Sequence, residues 1–412
     1  MPVQTGTATD YKDLLSKLKD FVTTPNTLGA ITPGGGNTGN GTVTGLAAID
    51  AAVTETWTLT CTAGGATGTF SVAGSVSGAK ADATVGTAYD NSIVAFTIND
   101  GVVDFIIGDS FTFTVIKVMG IEHWTTMRWS TNWDTFNGYE LILKGPGSGD
   151  DEIFVGIQTF YNEVSAYYNW RLNGFTGYSA PAAWGSQPGA IPNDSNCYYP
   201  NVALWNTNIP YWFVANGRRI VMVAKLSTVY ETCYLGFLLP YGLPNQLPYP
   251  LVVGGTMPSN LTTTDKRYSS TVFQHRAFVD PAGGAGAGSL CLLHGSWVNF
   301  RNWISETQPQ GSLSYNNVWP FCHSDYNYTG QDPNMKYKLI QQNIDDGRPL
   351  FPLIVAEGTP NKNFFGELQG CYAIPGFGLS VEDTITIAGK TYLVVQNVFR
   401  TVTWAFWALL LE

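Results

Sequence analysis

Charge is what this sequence has least of. Charged residues make up 13% of its 412 positions, against about a quarter in an ordinary soluble domain. The basic side is the thinner one: 21 Lys and Arg stand against 31 Asp and Glu, giving a net charge of −10 and a pI near 4.9. No basic cluster is longer than Arg218-Arg219. A nucleic-acid binder needs a positive footprint, so DNA and RNA are not expected partners. Cysteine is sparse and unpaired in spacing. Cys61, Cys197, Cys233, Cys291, Cys322 and Cys371 show none of the close C-x-x-C pairs that mark zinc sites, and read as buried thiols. The four histidines (His123, His275, His294, His323) are dispersed. Cys322 and His323 are adjacent, which on a strand points them to opposite faces. No metal or cofactor is expected. Long apolar runs are missing as well. Ala405–Leu411 is far shorter than the roughly 20 residues that span a bilayer, so no membrane insertion is expected. Met1–Asp10 is polar and lacks the apolar stretch of a secretory leader.

What is there is β-forming. Aromatics reach 14%, with 13 Trp, and glycine numbers 45. Low charge with many aromatics suits large surfaces buried against other chains. A single large enzyme with a thick sandwich core is the alternative. From Trp57 to Val115 short segments alternate apolar and polar residues between turns. Trp57, Leu59 and Cys61 alternate with threonines, Phe70 and Val72 with small polar residues, and Phe111, Phe113 and Val115 with Ser and Thr. A period of two is the mark of strands with one face in a core. Asn99-Asp100-Gly101 and Gly108-Asp109 supply turn chemistry between them.

One helix is expected, over Asp10–Val22. Tyr11, Leu14, Leu15, Leu18 and Val22 fall on one face, Asp10 is a fitting N-cap, and Pro25 lies just past the end. A helix this short must dock on something. Its face packs on its own chain or serves as a peg on a neighbour, and the sequence leaves both open. The glycine-rich Gly29–Gly45 reads by composition as a flexible joint. Beyond Ile121 the chain is dense in Trp and Tyr. Strands are expected at 139–143, 153–159, 165–172, 212–215, 219–225, 230–239, 289–294, 384–387, 391–396 and 401–411. Turns are expected at Lys144–Gly147, Asn173-Gly174 and Ala388–Lys390. The long Pro- and Gly-rich loops between 239 and 289 are too apolar for solvated tethers and are expected to cover a neighbouring surface. The fold class is therefore all-β: a short amphipathic helix and docking segment (1–27), a small Gly/Thr-rich β module (28–118) and a larger Trp/Tyr-rich, β-sandwich-like domain (119–412).

Chemistry is harder to find. Asp150-Asp151-Glu152 could supply a cation site or a glycosidase carboxylate, but no calcium-loop pattern surrounds it, and a solvated turn is the plainer reading. Gly389-Lys390-Thr391 lacks the upstream glycine of a phosphate loop and is followed by a strand-like run, so a tight hairpin turn fits better. Ser296 lacks a nucleophile elbow. Trp124, Trp129 and Trp133, and Tyr167, Tyr168 and Trp170, could stack on sugars, though core and interface filling is the commoner use of Trp.

Two resemblances add to these readings. NTGNGT at 37–42, taken with WTLTCTAGG, FSVAGSVSG and FTINDGVVDFIIGDSFTFTV, resembles a small β module embedded in virion proteins of tailed bacteriophages. LILKGPGSGDDEIFVGIQT, YYNWRLNGFTGY, YWFVANGRRIVMVAKLSTVYETCYLGF, PYPLVVGG and DTITIAGKTYLVVQNVFRT together resemble a recurrent virion protein of such phages, usually associated with tail or baseplate. The resemblance implies a non-enzymatic structural component, made in the host cytoplasm and located in the virion, whose partners are its own copies and other virion proteins. A receptor- or glycan-binding tail protein, with host surface glycan as partner, is the alternative. Head decoration or glycan degradation comes third. No catalytic residues carry over. The interface candidates are Tyr11, Leu14 and Leu18 on the helix, Tyr241 and Tyr249 on the Pro-rich arm, and Trp404, Phe406 and Trp407 near the end.

Overall fold

The computed structural model describes residues 3–23, 27–48, 54–91, 93–116, 123–194, 197–243, 247, 249–272, 274–279, 288–291, 296–300, 317–319, 348–356, 364–402 and 405–411. It is an all-β protein with one short α-helix. The chain forms two compact units. The smaller is Thr24–Ile121, and the larger combines Met1–Thr23 with Glu122–Glu412. The N-terminal helix thus belongs to the larger unit rather than forming a segment of its own.

In the smaller unit, two antiparallel sheets enclose one core. The first runs Thr27–Leu28, Ser110–Ile116, Glu55–Ala63, Thr69–Gly74, Gly78–Thr84, and the second Thr42–Ala48, Val94–Asn99, Ala88–Asp90. The expected alternation sets the register. Phe111 lies opposite Leu59, Phe113 opposite Trp57, and Cys61 opposite Phe70. All six are buried, together with Val72, Phe96 and Ile98. Glu55–Ala63, Thr69–Gly74, Val94–Asn99 and Ser110–Ile116 each have one dry face, so a slip of one residue would turn their apolar side chains to water.

The larger unit is built on three sheets. A seven-stranded sheet runs Val3–Ala8, Ile209–Asn216, Arg219–Leu226, Val229–Phe237, Leu251–Gly254, Gly288–Cys291, Trp297–Phe300. One face shares a core (Val214, Val221, Val223, Tyr234) with a sheet containing Phe351–Ala356, Phe364–Ala373, Lys390–Gln396 and Phe406–Leu410, which contributes Leu353, Leu368, Val395, Trp407 and Leu409. Ile220, Met222 and Ala224, on the opposite face, are buried too. Burial on both faces explains why Arg219–Leu226 and Val229–Phe237 read as continuous apolar runs rather than alternation. The third sheet (Thr125–Ser130, Glu140–Lys144, Phe154–Asn162, Tyr167–Phe175, Pro200–Leu204, Met257–Pro258) packs on this second face. A Cβ added at Gly174 would lie 2.8 Å from Val253.

The helix Tyr11–Thr23 starts where Asp10 Oδ1 accepts from the backbone N–H of Lys12 and Asp13 at 2.7 and 2.8 Å. Tyr11, Leu14, Leu15, Leu18, Phe21 and Val22 are all buried on its own unit. Trp170 Nε1 donates to the Tyr11 carbonyl at 2.8 Å, and Phe21 packs on Phe213. Of the two readings of this face, packing on its own chain is the one the fold adopts.

Several expectations need correcting. Asn173-Gly174 is not a turn but lies inside the strand Tyr167–Phe175. The glycine is there because a side chain would meet Trp297 at 2.6 Å, while Asn173 Oδ1 accepts from Ile191 N–H at 3.0 Å. The polar opening segment is a strand, Val3–Ala8, paired to Ile209–Asn216. The region between 239 and 289 largely covers its own unit: Leu247 and Leu251 are buried, and Tyr249 packs on Phe237 and donates to the Phe175 carbonyl at 2.8 Å. The Ala388-Gly389 hairpin is a two-residue turn with φ of 50° and 75°, the twist-matched kind.

Candidate interaction surface

The glycine-rich segment expected as a flexible joint is instead bound into the smaller unit at Gly29, Gly34 and Asn37 to Asn40. Asn37 acts as a side-chain strand partner: its Nδ2 donates to the Ser110 carbonyl and its Oδ1 accepts from Ser110 N–H, both at 2.8 Å. Asp109 receives the N–H groups of Thr38 and Gly39 at 2.8 Å and of Ile106 at 3.1 Å. Burial alone would raise its pKa, but these three donors outweigh it and hold the carboxyl below its usual range. Asn40 Oδ1 accepts from Val103 N–H at 3.0 Å, and Asn40 N–H donates to the Val103 carbonyl at 3.2 Å. Gly41 runs so close to the loop that a Cβ would lie 2.3 Å from both the Asn99 carbonyl and Phe105 Cζ. Composition signalled freedom here; Gly34, Gly39 and Gly41 serve close approach, each leaving no room for a Cβ.

What this bracing holds is the loop 100–109. Phe105 anchors its middle in the core, edge-on to Phe70 and Phe111 at 5.0 and 5.8 Å. Gly65 N–H donates to the Phe105 carbonyl at 2.9 Å. On either side of that anchor the loop shows apolar side chains to water. Val102 is 94% exposed and Ile107 73%, with Val103 and Ile106 about half exposed. Beside them Gly64, Gly65, Asp104, Phe105, Ile106 and Ile107 line an open depression of about 600 Å³. An apolar group in water is unremarkable singly, but four exposed on one braced loop make that loop the candidate contact surface of this unit. Sequence inspection passed over these four residues. The signal was available: Val102-Val103 and Ile106-Ile107 are adjacent apolar pairs between turn residues, and two neighbours in an extended chain cannot both face one core.

Among the expected interface residues, the structure separates buried from exposed. Tyr11, Leu14 and Leu18 are sealed under the helix, and Phe406 and Trp407 lie in the core of the larger unit. These five are corrected: their apolar character serves intramolecular packing. Tyr249 is half-buried on its own chain. Tyr241 is about half exposed, its hydroxyl donating to Glu367 Oε1 at 2.6 Å, with exposed Leu239, Leu243 and Phe364 on the same unit. Trp404 lies outside the described residues.

The chemical candidates resolve similarly. Asp151 is ion-paired to Arg218 at 2.8 Å and Glu152 to Lys144 at 2.5 Å, on a short exposed turn. Cys61, Cys197, Cys233 and Cys371 are buried, and burial pushes the thiols of Cys233 and Cys371 up to about 12. Cys322, His294 and His323 lie outside the described residues, as does the side chain of Cys291. Among the described residues no His, Cys, Asp and Glu group has the form of a metal site, and no helix is long and apolar enough to cross a membrane. Trp124 and Trp170 are core residues whose ring N–H groups donate to the Asn216 and Tyr11 carbonyls, and Tyr167 is buried as well. Trp129, Trp133 and Tyr168 are half-buried. Trp129 meets Tyr139 edge-on and Trp133 stacks on Phe160, while on the opposite face of the strand Phe154–Asn162 Tyr161 meets Phe136 edge-on and stacks on Tyr168 at 4.9 Å.

No protein-family model matches this chain, and no curated protein matches it. Among solved structures it is similar to FlgL of Xanthomonas campestris at 18% identity and a TM-score of 0.18, over 24% of this chain and 35% of that one. The similar region is thus little more than a third of that protein's length, and at this score the likeness supports no inference about fold or function.

Proposed function

We propose that the chain is a structural component of a tailed-bacteriophage virion, in its tail or baseplate, acting through repeated protein–protein contacts rather than catalysis. Support comes from the two sequence resemblances and from one structural observation that carries most weight: the smaller unit invests a buried carboxylate, two asparagines and a close-packed glycine in presenting an apolar loop. Ordering that loop in advance removes an entropic cost from association. Burying four side chains of this size contributes roughly 4–6 kcal/mol per contact before association costs, and a ring of copies multiplies it. Virion proteomics and density for the intact particle test the assignment. The chain is expected in infectious particles in multiple copies, and its absence refutes it. Val102→Asp with Ile107→Asp is expected to leave the fold intact and abolish incorporation.

A receptor- or glycan-binding role is the second reading, favoured by the half-exposed stacked pair Trp133 and Phe160. Binding of the purified protein on a glycan array, lost in Trp133→Ala, would move the assignment there.

A further inference from the structure

In the larger unit the chain passes Thr256, pairs Met257–Pro258 onto the edge of the third sheet, and completes an excursion over 257–274 before returning at His275. The two feet touch, Arg276 N–H donating to the Thr256 carbonyl at 2.9 Å. Both are held by one carboxylate. Glu231, on the strand Val229–Phe237, accepts the Thr256 hydroxyl on Oε2 and faces His275 Nε2 with Oε1 at 2.7 Å. Glu231, Thr256 and His275 are each fully buried.

The hydrogen-bond geometry determines the proton count. His275 Nδ1 lies 2.9 Å from the Ser270 carbonyl oxygen, which can only accept, so Nδ1 carries hydrogen. Glu231 Oε2 already receives the Thr256 hydroxyl. One further proton must therefore sit between Nε2 and Oε1, on whichever atom it resides. Take it away, as water formed with hydroxide, and two lone pairs oppose each other at 2.7 Å with no solvent to separate them.

We propose that Glu231 and His275 form a proton-operated clasp, which holds both feet of the 257–274 excursion while it carries its shared proton and releases them when that proton is lost. The excursion lies against strands of the third sheet: Arg267 Nε donates to the Ser165 carbonyl at 2.7 Å, and Tyr268 packs edge-on to Trp205. Release would uncover that surface.

Burial alone would lower the His275 pKa, but Glu231, and then the Ser270 carbonyl, outweigh it and raise it, while the charge of Arg400 works the other way. Arg400 also donates to the His275 carbonyl at 2.8 Å, and the Phe399 ring lies edge-on to the imidazole. Arg276, next in the chain, is buried. A raised folded-state pKa means the stabilisation is complete below the unfolded value and is lost as pH climbs through the folded one. The clasp is therefore closed through the ordinary histidine range and opens as pH climbs above it. On the excursion itself Lys266 has its pKa lowered, by burial first and by Arg171 second. Its deprotonation relieves that repulsion and opposes opening.

Glu231→Gln separates the two effects. The Gln amide can donate to a neutral Nε2 and its oxygen can still accept from Thr256, so the feet stay tied with no labile proton. Hydrogen exchange of the full chain, corrected for intrinsic rates, is followed between about pH 6 and about pH 10. In the unaltered protein, protection within 257–274 is expected to fall at least about tenfold beyond any change in the rest of the unit, and in E231Q to stay level. No fall in the unaltered protein, or the same fall in both, overturns the clasp. Ring-nitrogen NMR gives an independent reading that needs no variant. His275 is expected to keep its shared proton at neutral pH, and titration at the ordinary histidine value overturns the proposal.

Discussion

Replacing Asp109 tests whether the glycine-rich segment is braced or merely adjacent. The carboxylate receives three backbone donors, Thr38 on Oδ1 and Gly39 and Ile106 on Oδ2, and is 2% exposed. Hydrogen bonds to an ionised acceptor contribute about 1.5–3 kcal/mol each, and a buried N–H left without a partner costs about 1–3 kcal/mol. These are not additive, and water can reach part of the opened turn. Asp109→Ala should therefore destabilise the smaller unit by about 3 kcal/mol. Asp109→Asn keeps one acceptor oxygen and turns an N–H₂ toward at least one N–H, so about half of that loss is expected. Hydrogen exchange on the full chain reads the effect locally: amides of 38–41 and 103–109 should lose protection while the larger unit is unchanged. The pKa of Asp109 is depressed in the fold, so its contribution is complete above the unfolded carboxylate value and lost as pH falls through the folded one. Protection of this loop, corrected for intrinsic rates, should fall in acid in the parent and not in the alanine variant. A loss below about 1 kcal/mol in Asp109→Ala, with unchanged loop protection, would refute the bracing argument.

Two further substitutions probe the larger unit. Leu14→Ala removes a fully buried side chain from the helix face and should cost about 2–5 kcal/mol in denaturant unfolding; a negligible cost would mean the helix does not dock on its own chain. Gly174→Ala places a methyl 2.6 Å from Trp297 and 2.8 Å from Val253 in tight sheet packing, and should lower the thermal midpoint by several degrees.

How much was legible depends on how local the controlling interaction is. Trp57, Leu59, Phe111 and Phe113 announced their strands because each strand of the smaller unit has one wet face, and alternation is a property of neighbours in sequence. The helix was legible for the same reason: its period and the Asp10 cap lie within a few residues. Val3–Ala8 carried no such signal. It is a strand because Ile209–Asn216 offers it an edge about two hundred residues away. Aromatic richness near the C-terminus suggested an exposed contact, yet Phe406 and Trp407 fill a core, since composition states that an aromatic must be covered and not by what.

By itself, then, the sequence determined the β class, the single helix, the alternating strands of the smaller unit and the hairpin at Ala388-Gly389, all set by side-chain periodicity and backbone preference over short spans. Tertiary structure alone decided that the glycine-rich segment is a brace, that Val102 and Ile107 stay in water, and that Glu231 grips both Thr256 and His275. Those outcomes require groups distant in the chain to meet at hydrogen-bonding or van der Waals distance, and only the closed fold brings them there.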